Sequence, residues 1–181
     1  MNKILLVLLL VCVSFGQVND FRWSKWGQTP NQCHQSEKAR LVENALEYQH
    51  MLIYKGTFMG CPVNILYSFR GGYLSAGRII AWEDAFDSKD ELHALYFSWS
   101  DSLKVHYGKP DSVRYLWKKG RRPADGVYKL HHLSNGDLVM RTVWLKKGRK
   151  IALRLHQDSA YGVLSCSIGY EQVKSLTGSG I

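Results

Sequence analysis

The chain contains little proline and no long apolar run beyond its first few residues. It has 4 prolines in 181 residues, against 6 tryptophans and 10 tyrosines, and this composition excludes collagen-like and intrinsically disordered proteins. The apolar stretch at residues 4 to 13 is too short for a stable bilayer anchor, and no later stretch is longer. The sequence therefore predicts one folded domain without a transmembrane anchor in the mature chain.

The sequence also lacks the short motifs that mark common catalytic and metal sites. It has no His-Glu-x-x-His zinc motif, no Gly-x-Ser-x-Gly elbow, no phosphate-binding glycine loop and no Cys-x-x-Cys pair. His131 and His132 are adjacent on a predicted strand, so their side chains should point to opposite faces of a sheet. Acidic residues cluster between positions 83 and 91, but they lack the EF-hand pattern and complement the dipole of the predicted helix. We therefore predict no metal site and no cofactor.

The amino terminus has the order of a secretory signal peptide. Lys3 precedes the apolar stretch, and Ser14 and Gly16 supply small residues for a signal peptidase. We expect cleavage after Gly16, so that residues 1 to 16 are the signal peptide and residues 17 to 181 form a secreted or periplasmic protein. Val11 before Cys12 disfavours a lipid anchor.

Three cysteines remain after this cleavage, at Cys33, Cys61 and Cys166. An oxidising compartment favours pairing two of them, which leaves one unpaired. The pair Cys61 and Cys166 would join an early strand to the last strand, but the sequence leaves all three pairings open.

Capping signals and alternation predict an α+β fold. A capping box at Thr29 to Gln32 begins a helix that carries Leu41 and Leu46 on one face, and strands follow at residues 48 to 54, 63 to 69 and 73 to 82. A second cap at Ser88 begins a helix that runs to a stop at Gly108, with five strands after it, at residues 112 to 117, 126 to 133, 138 to 145, 151 to 156 and 163 to 170. We expect two helices to cover one face of a mainly antiparallel sheet.

A helix followed by strands thus occurs twice, in segments 29 to 82 and 88 to 171, which suggests a divergent tandem duplication. In its order of elements the chain resembles small exported bacterial domains of the β-lactamase-inhibitor-protein-like kind. The resemblance rests on the two caps at Thr29 and Ser88 and on the helix stop at Gly108 to Pro110. The unequal numbers of predicted strands, three and five, depart from the family's tandem pattern. The resemblance implies a surface that binds another macromolecule.

Positive charge is concentrated in one part of the chain. Residues 114 to 150 contain eleven of the 24 lysines and arginines and only two acidic residues. Within them an apolar strand end runs twice into a Lys-Lys-Gly-Arg turn, and the predicted meander places both turns at one end of the sheet. The expected binding rim consists of Lys118, Lys119, Arg121, Arg122, Lys146, Lys147, Arg149 and Lys150, with Arg114 as a ninth candidate and with Trp117 and Trp144 beside them. The alternative is that these turns only keep the sheet soluble.

The sequence favours a noncatalytic exported binding module of the cell envelope or extracellular space. Its basic rim would attract an anionic envelope polymer, lipid headgroups or a protein partner. Intracellular nucleic acid is disfavoured because the signal peptide directs the protein out of the cytoplasm. The alternative is an exported hydrolase without a recognisable motif, whose acid and base groups would be Asp84, Asp87, His93 or His106.

Overall fold

The computed structural model describes residues 19–124 and 130–173, so the expected signal peptide lies outside the described residues. The helices are α1 (Pro30–Ser36), α2 (Leu46–Gln49), α3 (Lys89–Tyr107) and α4 (Leu130–Ser134), and Glu83–Ala85 form a 3-10 turn. The strands are β1 (Arg40–Ala45), β2 (Met51–Phe58), β3 (Cys61–Arg70), β4 (Tyr73–Trp82), β5 (Ser112–Trp117), β6 (Leu138–Lys146), β7 (Arg149–Gln157) and β8 (Leu164–Gln172).

All eight strands form one antiparallel sheet in the order β1-β2-β3-β4-β8-β7-β6-β5. The sheet consists of two four-stranded meanders, β1 to β4 and β5 to β8, which join where β4 pairs with β8. Helix α1 precedes the first meander and α3 precedes the second. The α+β class is therefore confirmed. The three and five strands expected for the two halves are wrong, because each half contains four. The duplication itself stays a prediction.

The first predicted helix is shorter than expected. The capping box at Thr29 is present, with Gln32 bonded back to the Thr29 amide, but the helix ends at Ser36. The next residue, Glu37, adopts an extended backbone and accepts hydrogen bonds from Arg22 and Tyr67. These bonds hold the chain away from the helix axis. The residues that follow therefore form β1 and do not continue the predicted helix.

The predicted strand at residues 126 to 133 is also wrong where the structure describes it. Residues 126 to 129 lie outside the described residues, and Leu130 begins the short helix α4. Leu133 on this helix is fully buried in the core. His131 and His132 are consequently neighbours on a helix, with ring centroids 3.9 Å apart, and not on opposite faces of a strand.

Helices α1, α3 and α4 contact the same face of the sheet, which is the face that carries the core. Trp99 of α3 packs edge-on against Phe58 of β2, and the Tyr96 hydroxyl lies 2.7 Å from Thr142 of β6. Alternate residues of β3 and β8 are buried on this face, at Val63, Ile65, Tyr67, Phe69, Leu164, Cys166, Ile168 and Tyr170. We call the opposite face of the sheet the open face, because none of the described helices lies on it.

The cysteines form none of the three pairings in the structure. Cys33 and Cys166 are buried free thiols, and Cys61 is a partly buried one. Burial raises the pKa of Cys33 and of Cys166, so both thiols are protonated and behave as small apolar side chains. No described helix is both long enough and apolar enough to cross a membrane.

Candidate functional site

The structure does not bring the predicted basic rim together. Trp117 pairs with Leu138 at one end of the β5–β6 ladder, whereas Lys146 pairs with Arg149 at the opposite end of β6. The turn that follows Trp117 and the turn at Lys147 therefore lie at opposite ends of the sheet. The error comes from the extra strand predicted at residues 126 to 133, because one strand more or less reverses the end at which the next turn falls.

Several rim residues are also engaged in the fold. Trp144 is fully buried, and its indole Nε1 donates to the carbonyl of Gly108 at 2.9 Å, so it contacts no ligand. Arg149 pairs with Asp20 at 3.4 Å, and Lys150 pairs with Glu171 at 2.6 Å. At the other end Arg121 lies 3.6 Å from Asp137, and Trp117 packs against His132. The exposed remainder is Lys118, Lys119 and Arg122 at one end and Lys146 and Lys147 at the other.

The two histidines of the hydrolase alternative are far apart. Asp84 and Asp87 are exposed, before the start of α3. His93 and His106 belong to the same helix, 13 residues apart, and are separated by about 20 Å along its axis. Two groups at this separation cannot act on one bond.

Four arginines instead come together on the open face. Arg114 of β5 lies directly opposite Arg141 of β6, and Arg141 lies directly opposite Arg154 of β7. Adjacent strands are about 4.8 Å apart, so these three side chains leave the sheet in one closely spaced row. The fourth, Arg78 of β4, faces Gly169 of β8, one row along the strands. We call these four residues the arginine cluster.

The cluster concentrates positive charge on this face of the sheet. Arg78 and Arg114 are exposed and the other two arginines are half-buried. None of the four forms an ion pair within 4 Å anywhere in ranges 19–124 and 130–173, and the Nε atom of Arg141 is buried without a hydrogen-bond partner. Burial lowers the pKa of Arg154, and the charges of Arg141 and Arg78 lower it further, against the opposing charge of Glu171. Like charges directly opposed across strands are destabilising, so this arrangement costs the fold stability.

One carboxylate next to the cluster, that of Glu171, offsets part of its positive charge. Glu171 lies in the same depression as Arg78 and Arg154, but its Oε2 is held by Lys150. That hydrogen bond lowers the pKa of Glu171 against the opposing effect of burial, so the carboxylate stays ionised and paired. Burial lowers the pKa of His156, which is therefore neutral at neutral pH and adds no charge.

Sequence reasoning missed this cluster because it assigned the positive charge to turns. The signal was present in the strands, where Arg141 stands between Met140 and Thr142 and Arg154 stands between Leu153 and Leu155. Alternation with buried residues places such arginines on the face opposite the core. What alternation alone does not reveal is the register that sets one arginine opposite another.

Guanidinium groups at this spacing are suited to binding anions. In the described part of the chain, no three His, Cys, Asp or Glu side chains are placed to hold a metal ion. Comparison of the chain with protein-family models, curated proteins and solved structures gives no match. The resemblance to β-lactamase-inhibitor-protein-like domains therefore stays an expectation from the order of elements.

Proposed function

We propose that the protein is a noncatalytic, exported binding module that holds an extended anionic polymer across the open face of its sheet. One observation carries the proposal: four arginines that form no ion pair with a described residue lie on the face that no described helix covers. Three of them are directly opposed across neighbouring strands. Such a cluster lowers the stability of the free protein, and an anion bound to it would offset that cost. The amino-terminal sequence supports export.

The row of paired residues that contains the three opposed arginines has charged residues at both ends, which favours a polymer over a compact ligand. Beyond Arg154 it continues through the uncharged residues Ser167, Ile80 and Asn64 to Lys55 and then to Arg40. It spans seven strand spacings of about 4.8 Å, or roughly 34 Å along the sheet. A single phosphate or carboxylate cannot touch both ends of such a row, whereas a chain with repeated charges can.

A charge-matched pair of variants tests the proposal. The first variant carries Arg78→Gln, Arg114→Gln and Arg154→Gln, and the second carries Lys118→Gln, Lys119→Gln and Lys147→Gln. Both lose three positive charges, but only the first loses them from the open face. We expect the arginine variant to elute from a heparin column at a much lower salt concentration than the lysine variant, which should elute close to the wild type.

Two results would overturn the proposal. Equal losses of retention in the two variants would mean that net charge alone governs binding. Retention of the wild type on vesicles of phosphatidylglycerol, without retention on heparin or dextran sulfate, would mean that the partner is a lipid surface and not a polymer.

A further inference from the structure

The arginine cluster borders a shallow depression with an unusually bare floor. The depression is lined by Arg78, Ala152, Arg154, Ser167, Gly169 and Glu171. Ala152 and Gly169 face each other on β7 and β8 and form its floor. The two arginines and the serine lie around this floor, because Arg78 is opposite Gly169 and Arg154 is opposite Ser167.

Neither the backbone nor the packing requires glycine at position 169. Its φ lies outside the left-handed region, and an added Cβ would meet only the carbonyl oxygen of Ala152, at 3.9 Å. Glycine inside a strand lowers stability by about 0.5–1 kcal/mol relative to alanine. A glycine that the fold does not need, in a central strand, is typical of a place where a ligand approaches the backbone closely.

Resting on the proposed function, we infer that this depression is a subsite for one sulfate or phosphate ester group of an anionic saccharide polymer. A guanidinium presents parallel N–H donors that suit an oxyanion, and two guanidiniums here flank one floor. The Ser167 hydroxyl supplies a third donor. An ester of sulfate or phosphate has three free oxygens for these three donors, whereas a carboxylate has only two.

The ionised side chain of Glu171 makes a saccharide a fitting carrier for that group. Lys150 occupies its Oε2 at 2.6 Å, while no described residue donates to Oε1. A carboxylate oxygen beside an anion site repels a second anion but accepts from a hydroxyl. A sugar ring carries a hydroxyl next to its ester group, so one repeat of the polymer satisfies both the arginines and Glu171.

A substitution that fills the depression without changing any charge tests the subsite. Gly169→Val adds a side chain over the floor and suits a strand. Ser68→Val is the matched control, because it adds a similar side chain to the open face of β3, outside the depression. The probes are dextran sulfate and carboxymethyl dextran of equal charge density, and the readout is the dissociation constant from titration calorimetry at fixed salt.

We expect the dissociation constant of the wild type to be about tenfold lower for dextran sulfate than for carboxymethyl dextran. One strong additional contact gives a difference of roughly this size. Gly169→Val should lose this preference and Ser68→Val should keep it. Thermal melting checks that both variants fold. Ser167→Ala is a second test that does not depend on the folding of Gly169→Val. It removes only one donor and should reduce the preference for dextran sulfate several-fold.

The outcomes separate this inference from the proposed function. If Gly169→Val and Ser167→Ala both keep the preference for sulfate, the subsite is wrong. If in addition the triple arginine variant still loses its retention on heparin, the proposed function stands without the subsite. If the wild type binds neither dextran, both fail.

Discussion

Arg141 and Arg154 lie directly opposite each other on β6 and β7, and neither forms an ion pair within 4 Å with the residues described. The Nε atom of Arg141 is in addition buried without a hydrogen bond. Elsewhere the same sheet pairs its charges, since Lys150 and Glu171 are directly opposed on β7 and β8 and bonded at 2.6 Å. The sheet thus pairs opposite charges at one register position and places like charges opposite each other at another. The facing arginines do not stabilise the fold, and their arrangement is compatible with a binding site.

The first prediction follows from this opposition. Arg141→Gln removes one of the two facing charges, so it should raise the free energy of unfolding by about 0.2–1 kcal/mol at low salt. The gain should shrink at 1 M salt, where the Debye length is about 3 Å. Urea unfolding at low salt and at 1 M salt measures this difference in the free energy of unfolding. Arg70→Gln, at the end of β3 opposite Tyr73, is the control and should change little.

A loss of stability in Arg141→Gln that does not depend on salt would contradict the prediction. It would show that packing of the aliphatic part of Arg141 stabilises the fold more than repulsion of its charge destabilises it.

The sequence allowed the fold class to be predicted from local signals. The caps at Thr29 and Ser88 both begin helices, and the second helix runs from Lys89 to Tyr107 with its apolar face in the core, as its spacing indicates. Alternation located β3, β4, β6, β7 and β8 within a few residues. These features depend on residues close in sequence, which is why they could be inferred.

What the sequence did not reveal depends on contacts between distant residues. β1 forms because Glu37 is held by Arg22 and by Tyr67, 15 and 30 residues away. Residues 130 to 134 become helical where their pattern suggested a strand. This second error moved one basic turn to the wrong end of the sheet, and the predicted rim depended on that placement.

The second prediction tests whether Trp144 has a structural role or contacts a ligand. Trp144 was expected to contact a ligand, but it is fully buried and donates to the carbonyl of Gly108. Trp144→Phe removes this donor and part of the buried ring, so it should lower the free energy of unfolding by about 1–3 kcal/mol. Retention on heparin at a temperature where the variant is folded should equal that of the wild type. A lower retention would place Trp144 in the site after all.

The third prediction concerns the pH dependence of stability. Burial alone would raise the pKa of Glu37, but hydrogen bonds from Arg22, Tyr67 and the Ala39 amide outweigh it and lower the pKa. A carboxyl group with a lowered pKa in the folded state stabilises the fold above its unfolded pKa of about 4.3. That stability is lost as the pH falls through the folded-state pKa, because the unfolded chain then binds the proton more readily.

Tyr67→Phe tests this linkage, because the Tyr67 hydroxyl donates to Glu37 at 2.5 Å. At pH 7 the variant should lose about 1.5–3 kcal/mol, the contribution typical of a hydrogen bond to a charged group. The difference from the wild type should narrow as the pH falls below about 4. Tyr54→Phe, whose hydroxyl lies 3.0 Å from His34 Nδ1, is the control. Its difference from the wild type should change less below about pH 4 than that of Tyr67→Phe, because the Tyr54 hydroxyl is bonded to His34 and not to Glu37.

The last prediction concerns two strand glycines that face different environments. Gly77 of β4 lies under the ring of Phe21, which an added Cβ would overlap, whereas a Cβ at Gly169 meets only the Ala152 carbonyl, at 3.9 Å. The Phe21 ring also packs against Tyr67 and Tyr170, with centroids 4.9 and 5.5 Å away, so it cannot easily move aside. Gly77→Ala should therefore cost about 1–3 kcal/mol through overpacking. Gly169→Ala should be neutral or stabilise by up to about 1 kcal/mol.

A double-mutant cycle with Phe21→Ala assigns the cost of Gly77→Ala to the ring. Phe21→Ala alone should lose about 3–5 kcal/mol, and adding Gly77→Ala to it should cost much less than in the wild type. Chemical unfolding of the four proteins gives the coupling energy. Additive effects would show that Gly77 is needed by the strand itself and not by the segment that Phe21 anchors. A strong coupling would show instead that the position needs glycine to make room for the Phe21 ring.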